Sequence, residues 1–227
     1  MNMRNVTQTI YPIIGLAVIL LVWQGYTDLF NINTIVLPSP IDISYATIVN
    51  FHILLRHLWP TLLECVLGFA LAIGIGIPMA VAVSNSRALN LTLYPILIAM
   101  QSVPKVAVAP IIIVWFGLGI ESKLAIAFLV AFFPIVVDTA TGLRSTPKGL
   151  LELARSLRAS RWQVFYKVQL PAALPFVFAG AKVAVTLTVI GAVIGEFVGS
   201  SEGLGNLLLT ANSQLNGALA WAALVWL

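Results

Sequence analysis

The sequence predicts an all-α protein, a polytopic bundle of membrane-spanning helices. Hydrophobic residues make up 60% of its 227 residues and charged residues only 9%, whereas an average soluble domain has roughly 25% charged residues. The mean hydropathy is +1.01. Because a span needs about 20 mostly apolar residues, the chain has room for about six. We therefore expect a single transmembrane domain over residues 1–227 with no soluble module.

Five apolar segments are long enough to cross a bilayer. They cover residues 10–26, 61–83, 91–117, 124–141 and 175–198. The first ends with the aromatic interface residues Trp23 and Tyr26, and no small-residue cleavage site follows, so we expect it to be retained as a span. A sixth segment begins near Ala218 and reaches Leu227 after about ten residues, too few for a crossing. We expect this last span to be truncated.

The lysines and arginines between these segments are distributed unevenly. With the N-terminus inside, the outer loops receive only Arg56 and Lys123. The inner side receives Arg4, Arg87, Arg144, Lys148, Arg155, Arg158, Arg161 and Lys167. Because short inner loops carry the excess of Lys and Arg, we expect a cytoplasmic N-terminus and a cytoplasmic loop at about residues 142–172.

The third segment is interrupted by Pro95, Pro104 and Pro110. Proline removes a helix hydrogen bond, and a broken backbone is tolerated at membrane depth only where protein or a water-filled path satisfies it. Interrupted helices often line the solute site of transporters. We therefore expect a translocation path lined by Gln101, Pro104, Lys105, Pro110 and Glu196.

Lys105 beside this break has two interpretations. An intramembrane cation is a functional candidate by default, and it would attract an anionic solute. Alternatively, Lys105 extends to an interface or pairs with Glu64 or Glu196, and the sequence alone favours this second interpretation.

Small residues recur at four-residue spacing in two segments, at Gly68 and Ala72 and again at Gly191, Gly195 and Gly199. Such residues lie on one helix face and allow close helix packing. We favour static packing within one subunit over a moving contact between subunits.

The inner loop contains a predicted amphipathic helix over residues 146–158. Leu150, Leu151, Ala154 and Leu157 recur at helical spacing, while Glu152, Arg155 and Arg158 occupy the other face. Thr146-Pro147 supplies a start signal, and Leu170-Pro171 is expected to break the helix before the next span. On composition alone, an anchor in the lipid headgroups outweighs a protein-docking helix. Nucleic acid is not an expected partner, because no reading motif accompanies the cations.

The loop resembles the signature of bacterial ABC importer permeases, which runs Glu-Ala-Ala, three residues, Gly, nine residues, Ile-x-Leu-Pro. This chain has Glu152-Leu153-Ala154 and Val168-x-Leu170-Pro171 at that spacing, with Arg158 in the place of the glycine. Further segments are similar to the nitrate, sulfonate and taurine branch, and the resemblance extends over nearly the whole chain. These segments are Leu37-Pro38-Ser39-Pro40, Pro104 through Trp115-Phe116-Gly117, Gly195-Glu196-Phe197 and Gly203-Leu204-Gly205.

The resemblance implies a type I importer permease fold and a multi-pass permease subunit in a bacterial inner membrane. The implied solute is small and anionic or polar, of the nitrate, sulfonate, taurine or pyrimidine-precursor type. The implied partners are ABC ATPase subunits, a second permease copy in a homodimer, an external solute-binding protein and membrane lipid. ATP and magnesium would be bound by the ATPase subunits, with no cofactor on this chain.

The resemblance also implies that the loop docks in a cleft of the ATPase. The expected docking residues are Leu150, Glu152, Ala154, Arg155, Leu157, Arg158, Trp162, Leu170 and Pro171. In the family the glycine permits a turn between two short helices. Because a left-handed arginine costs roughly 1–2 kcal/mol, we expect the turn to shift to Ala159-Ser160; the alternative is altered coupling.

Catalysis by the chain itself is not expected. The sequence has no Gly-x-x-x-x-Gly-Lys-Ser/Thr phosphate loop, no metal-ligand cluster and no Ser/His/Asp constellation, so we assign no catalytic and no metal-binding residue. Two other classes remain open at this point. One is a stand-alone secondary transporter or channel, and the other is a membrane enzyme, for which Glu64, Lys105 and Glu196 form only a weak charged constellation.

Overall fold

Helices make up the secondary structure of residues 3–227, the part of the chain that the computed structural model describes, with side chains described from Ile10 onward. Arg4, counted above among the inner cations, has its side chain outside the described ones. No strand occurs in residues 3–227, which confirms the all-α prediction. The eleven α-helices are α1 Met3–Leu29, α2 Pro40–Val49, α3 Phe51–Asn85, α4 Arg87–Gln101, α5 Lys105–Phe116, α6 Ile120–Arg144, α7 Lys148–Ser156, α8 Arg161–Val164, α9 Leu170–Gly199, α10 Leu204–Ser213 and α11 Gly217–Trp226.

Four helices are long and apolar enough to cross a membrane. They are Ile10–Leu29 within α1, then α3, α6 and the continuous helix Arg161–Gly199. A fifth crossing is formed if α4 and α5, which are bent by 103° at their junction, count as one broken span. These elements coincide with the five predicted segments and confirm the polytopic helix bundle. The short α11 occupies the sixth.

Only one of the three prolines of the third segment breaks the helix. Pro104 has extended backbone (φ −66°, ψ 99°) at the start of α5, whereas Pro95 and Pro110 lie inside α4 and α5. A proline inside a helix removes one hydrogen bond while keeping a helical φ. At Pro95 and Pro110 the helix therefore continues despite the missing hydrogen bond.

The prediction that Leu170-Pro171 breaks the helix is wrong. Helix α8 continues through a π-helical turn, Phe165–Gln169, directly into α9. In this wider turn the Leu170 N–H donates to the Phe165 carbonyl. Pro171 is the second residue of α9, so it lies inside the continuous helix Arg161–Gly199 and does not end it.

The described chain forms two compact units, and that residues 1–227 act as a single permease domain stays a prediction. The first unit contains the residues up to Trp59 and Glu202–Leu227. Its α2 begins with a capping box, in which the Asp42 N–H donates to Ser39 Oγ at 3.1 Å and the Ser39 N–H donates to Asp42 Oδ2 at 3.1 Å. The core of the unit is built around Leu54, Leu204 and Ala222.

The second unit covers Pro60–Ser201, and α6 and α9 pack along each other within it. Their close approach depends on glycine. A Cβ at Gly191 would lie 2.7 Å from the Ala127 Cα, and one at Gly68 in α3 would lie 2.7 Å from the Ala127 Cβ. These contacts within one chain support the static-packing interpretation of the glycines.

Candidate docking loop and intramembrane polar groups

Helix α7 presents an exposed surface. It begins after Pro147 and ends at Ser156, and Ala154 is its buried residue. Leu150, Leu157 and Trp162 are 46%, 72% and 72% exposed. Large apolar side chains that are exposed next to one another usually mark a surface that binds a protein or a membrane.

Arg158 adopts the left-handed conformation itself, with φ 52°. Its N–H donates to the Arg155 carbonyl at 2.9 Å, and the Ala159 N–H donates to the Ala154 carbonyl at 3.0 Å. These two bonds are those of a Schellman motif, whose left-handed position is usually glycine. The expectation that the turn shifts to Ala159-Ser160 is therefore wrong. The backbone hydrogen bonds that end α7 hold Arg158 in the place of the family's glycine.

The second short helix of the loop starts with its own cap. The Ser160 N–H donates to Gln163 Oε1 at 2.8 Å, and the Gln163 N–H donates to Ser160 Oγ at 3.3 Å, which makes a capping box. The Trp162 and Tyr166 rings then stack with centroids 6.1 Å apart. The loop is thus two capped helices joined by a defined turn.

A groove of about 690 Å³ lies between these helices and the end of α3. Its lining residues are Val81, Asn85, Leu151, Arg155, Ala159, Arg161, Trp162, Val164, Phe165 and Gln169. Sequence reasoning missed Asn85, because nothing in the local pattern indicates that the end of α3 reaches the loop. The groove brings the predicted residues Arg155 and Trp162 together.

Lys123, not Lys105, pairs with Glu64. Lys123 Nζ lies 3.0 Å from Glu64 Oε1, and Lys123 is buried within α6 rather than placed in an outer loop as the sequence indicated. Glu196 is also buried and accepts a hydrogen bond of 2.6 Å from the Thr61 hydroxyl. The favoured interpretation of Lys105 was extension to an interface or pairing with Glu64 or Glu196, and the pairing is wrong. Side-chain directions between helices decide such pairings, and the sequence does not contain them.

Lys105 instead lies at the break between α4 and α5. Its Nζ donates to the Gln101 carbonyl and lies 5.8 Å from the centroid of the Phe133 ring. A cavity of about 320 Å³ opens beside it, and that cavity is lined by Gln101, Lys105, Val130, Pro134, Asp138, Val183 and Leu187.

The cavity unites only part of the predicted path. Gln101 and Lys105 line it and Pro104 lies in the adjoining break, whereas Pro110 is on the exposed side of α5 and Glu196 bonds to Thr61. The path itself stays a prediction. Sequence reasoning missed Asp138, although an acid inside an apolar segment is itself a signal of function.

Arg144 fixes the end of α6 to α4. Its guanidinium lies 3.7 Å from the centroid of the Tyr94 ring and donates to Asn90 Oδ1 at 2.9 Å. It also donates to the Ala140 carbonyl at 3.1 Å. The cation that the sequence assigned to membrane orientation therefore also has a packing role.

Within the described part of the chain, no three His, Cys, Asp or Glu side chains lie close enough together to hold a metal ion. His57 Nδ1 lies 3.0 Å from the Gly203 carbonyl oxygen. The absence of a bound metal and of a cofactor on this chain stays a prediction.

Comparison with known proteins supplies an independent line of evidence. Residues 72–227 match the protein family described as Binding-protein-dependent transport system inner membrane component. A Haemophilus influenzae protein named Probable ABC transporter permease protein is 38% identical over 94% of this chain and 87% of its own length.

Two further relatives carry names that include a solute. The riboflavin transport system permease protein of Chloroflexus aurantiacus is 38% identical over 100% of this chain and 87% of its own length. The formylaminopyrimidine transport permease protein of Halalkalibacterium halodurans is 34% identical over 95% of this chain and 86% of its own length.

Among solved structures, a chain of the MetNI methionine ABC transporter in an inward-facing conformation is similar to this one. The TM-score is 0.67 at 25% identity, over 78% of this chain and 88% of that chain. The similarity supports a permease fold of the importer type.

Proposed function

The chain belongs to the family of binding-protein-dependent transport system inner membrane components, and from this premise we propose how it works. It is a multi-pass membrane protein and a permease subunit of an ABC importer. In our proposal two copies of the chain assemble with two ABC ATPase subunits and an external solute-binding protein. The N-terminus and the loop at residues 142–172 face the cytoplasm, in agreement with the excess of Lys and Arg on that side.

The proposed coupling site is the loop between α6 and α9. One observation carries it: two capped helices joined at Arg158 leave Leu150, Leu157 and Trp162 exposed. These side chains make apolar contacts with an ATPase cleft. Glu152 and Arg155 make polar contacts that fix the position of the loop in that cleft. The buried Ala154 supports the loop from within, whereas Leu170 and the exposed Pro171 lie at the start of α9.

A double charge reversal tests this coupling. Glu152→Lys with Arg155→Glu exchanges the signs of the two charges, and both positions are solvent-exposed. We expect the assembled transporter to keep basal ATP hydrolysis and to lose most ATP-driven uptake in liposomes. The matched control is Arg87→Glu, an exposed charge reversal on the same proposed side of the membrane. Wild-type uptake in the double variant would contradict the docking role, and gradient-driven flux by this chain alone would indicate a secondary transporter instead.

The proposed solute is small and anionic or polar. Relatives are named for riboflavin, formylaminopyrimidine, aliphatic sulfonates, taurine and nitrate. We propose that the solute passes Gln101, Pro104 and Lys105, with Pro110 and Glu196 further along the path. Mass spectrometry of the ligand carried by the cognate binding protein identifies the solute directly.

A further inference from the structure

The cavity at the α4–α5 break contains charges of both signs. Lys105 approaches it from the first residue of α5, and Asp138 approaches it from α6. Val130, Val183 and Leu187 supply apolar walls. A site with apolar walls and a few convergent polar groups is typical of small-molecule binding.

Neither charge is neutralised by the protein. The ion pair Glu64–Lys123 includes neither group, and Lys105 Nζ donates its hydrogen bond to the Gln101 carbonyl. The Asp138 carboxylate accepts no hydrogen bond from the described side chains or backbone. Unpaired charges are costly at membrane depth and mark solute or ion pathways, so both groups are available to a solute or to water.

Gly180 in α9 makes room for the acid. A Cβ at Gly180 would lie 2.9 Å from the Asp138 Cβ and 3.1 Å from Asp138 Oδ2. Any larger residue at position 180 would therefore displace the carboxylate. The position of Asp138 is determined by packing, as expected of a recognition group on a rigid element.

We propose that this cavity binds a dipolar solute, one that presents an amino-type donor to Asp138 and an anionic or carbonyl oxygen to Lys105. The proposal rests on the permease function above and narrows its solute class. A simple anion is disfavoured, because the carboxylate that faces the same small cavity repels it.

The need for both a donor and an acceptor group distinguishes among the solutes for which the relatives are named. Taurine contains an ammonium and a sulfonate, and formylaminopyrimidine contains amino donors and a carbonyl oxygen, so each offers both ends. Nitrate and unsubstituted alkanesulfonates offer only the acceptor end. A cation that contacts a carboxylate makes a charge-assisted hydrogen bond, which is stronger than a neutral one.

Taurine and ethanesulfonate make a matched pair of probes, since they differ by the ammonium group. Binding of each is measured on the purified permease–ATPase complex, in detergent and without the binding protein. We expect taurine to bind about tenfold more tightly than ethanesulfonate in the wild type, the gain of one charge-assisted contact. Asp138→Asn should reduce that ratio to about one, and Lys105→Gln should weaken both probes by a similar factor.

The control and a second variant keep the test decisive. Lys182→Gln removes an exposed cation of α9 outside the cavity lining and should change neither affinity. Gly180→Ala leaves both charges in place yet displaces Asp138, so it should lower the taurine preference even if Asp138→Asn folds poorly.

Equal binding of the two probes by the wild type, or absence of taurine binding at millimolar concentration, would overturn the inference. So would an unchanged ratio in both Asp138→Asn and Gly180→Ala. ATP hydrolysis stimulated by the binding protein is measured in parallel. If that stimulation is intact while the preference is absent, only the solute class fails; if stimulation is absent in the wild type, the proposed function fails.

Discussion

Lys123 and Glu64 form a buried ion pair between α6 and α3, with Nζ and Oε1 3.0 Å apart and the Glu64 side chain 1% exposed. The second oxygen of Glu64 has no hydrogen-bond partner. Removing one member of such a pair leaves an uncompensated charge in a low-dielectric interior, whereas removing both does not. The pair therefore holds two spans of one unit in register.

Lys123→Met should lower the free energy of unfolding by about 3–5 kcal/mol, because it leaves Glu64 buried without its cation. The double variant with Glu64→Gln should recover most of that loss. Both are measured by thermal or denaturant unfolding of the purified protein in detergent. Glu121→Gln, an exposed acid on the same helix, should have little effect. A double variant as unstable as Lys123→Met would contradict the pairing.

Gly191→Ala should destabilise the protein by about 1–3 kcal/mol, because the new Cβ would lie 2.7 Å from the Ala127 Cα and overpack two long helices. Gly74→Ala is the matched control, since a Cβ there meets nothing within 4 Å. We expect it to be neutral or stabilising by up to about 1 kcal/mol, the helix preference for alanine. The same unfolding measurement distinguishes them, and equal effects at both positions would exclude close α6–α9 packing.

Arg158→Gly should stabilise the turn after α7 by about 1 kcal/mol, since glycine adopts a left-handed φ without steric cost. Hydrogen exchange of the Arg155–Ala159 backbone should slow accordingly. Arg158→Ala removes the same charge but retains the strain, so it separates charge from conformation. Faster exchange in the glycine variant would show that the arginine side chain itself stabilises the turn.

Arg144→Lys should weaken the contact between α4 and α6, although the substitution retains the positive charge. Arginine stacks its plane on Tyr94 and donates to Asn90 and Ala140 together, whereas lysine offers a compact ammonium without a planar face. We expect a loss of about 1–2 kcal/mol in the unfolding measurement, and almost none for the exposed Arg87→Lys. Identical stability of the two variants would contradict the role of the stacked contact.

The spans could be predicted from the sequence because the bilayer imposes their length and apolarity. The side-chain pairs that join different helices could not be predicted from the sequence. Charge counting along the sequence places Lys123 in an outer loop. In the structure it lies in the first turn of α6 and pairs with Glu64.

The candidate sites were predicted unevenly for a related reason. The spacing of the loop signature located Glu152 through Pro171, because that signal is contiguous in sequence. The conformation of Arg158 was mispredicted, because propensity favours glycine there while the hydrogen bonds ending α7 decide the outcome. Asp138 was overlooked although an acid inside an apolar segment is itself a signal, and only the folded chain shows that it lines the same cavity as Lys105.

The π-helical turn at Phe165–Gln169 joins α8 and α9 into one continuous helix of 39 residues, Arg161–Gly199. At about 1.5 Å per residue such a helix is roughly 58 Å long, so a tilt of about 5° about its midpoint moves each end by roughly 2.5 Å. Under the coupling proposed above, a displacement of Trp162 would carry Gly191 with it, because no break separates the two residues at Pro171.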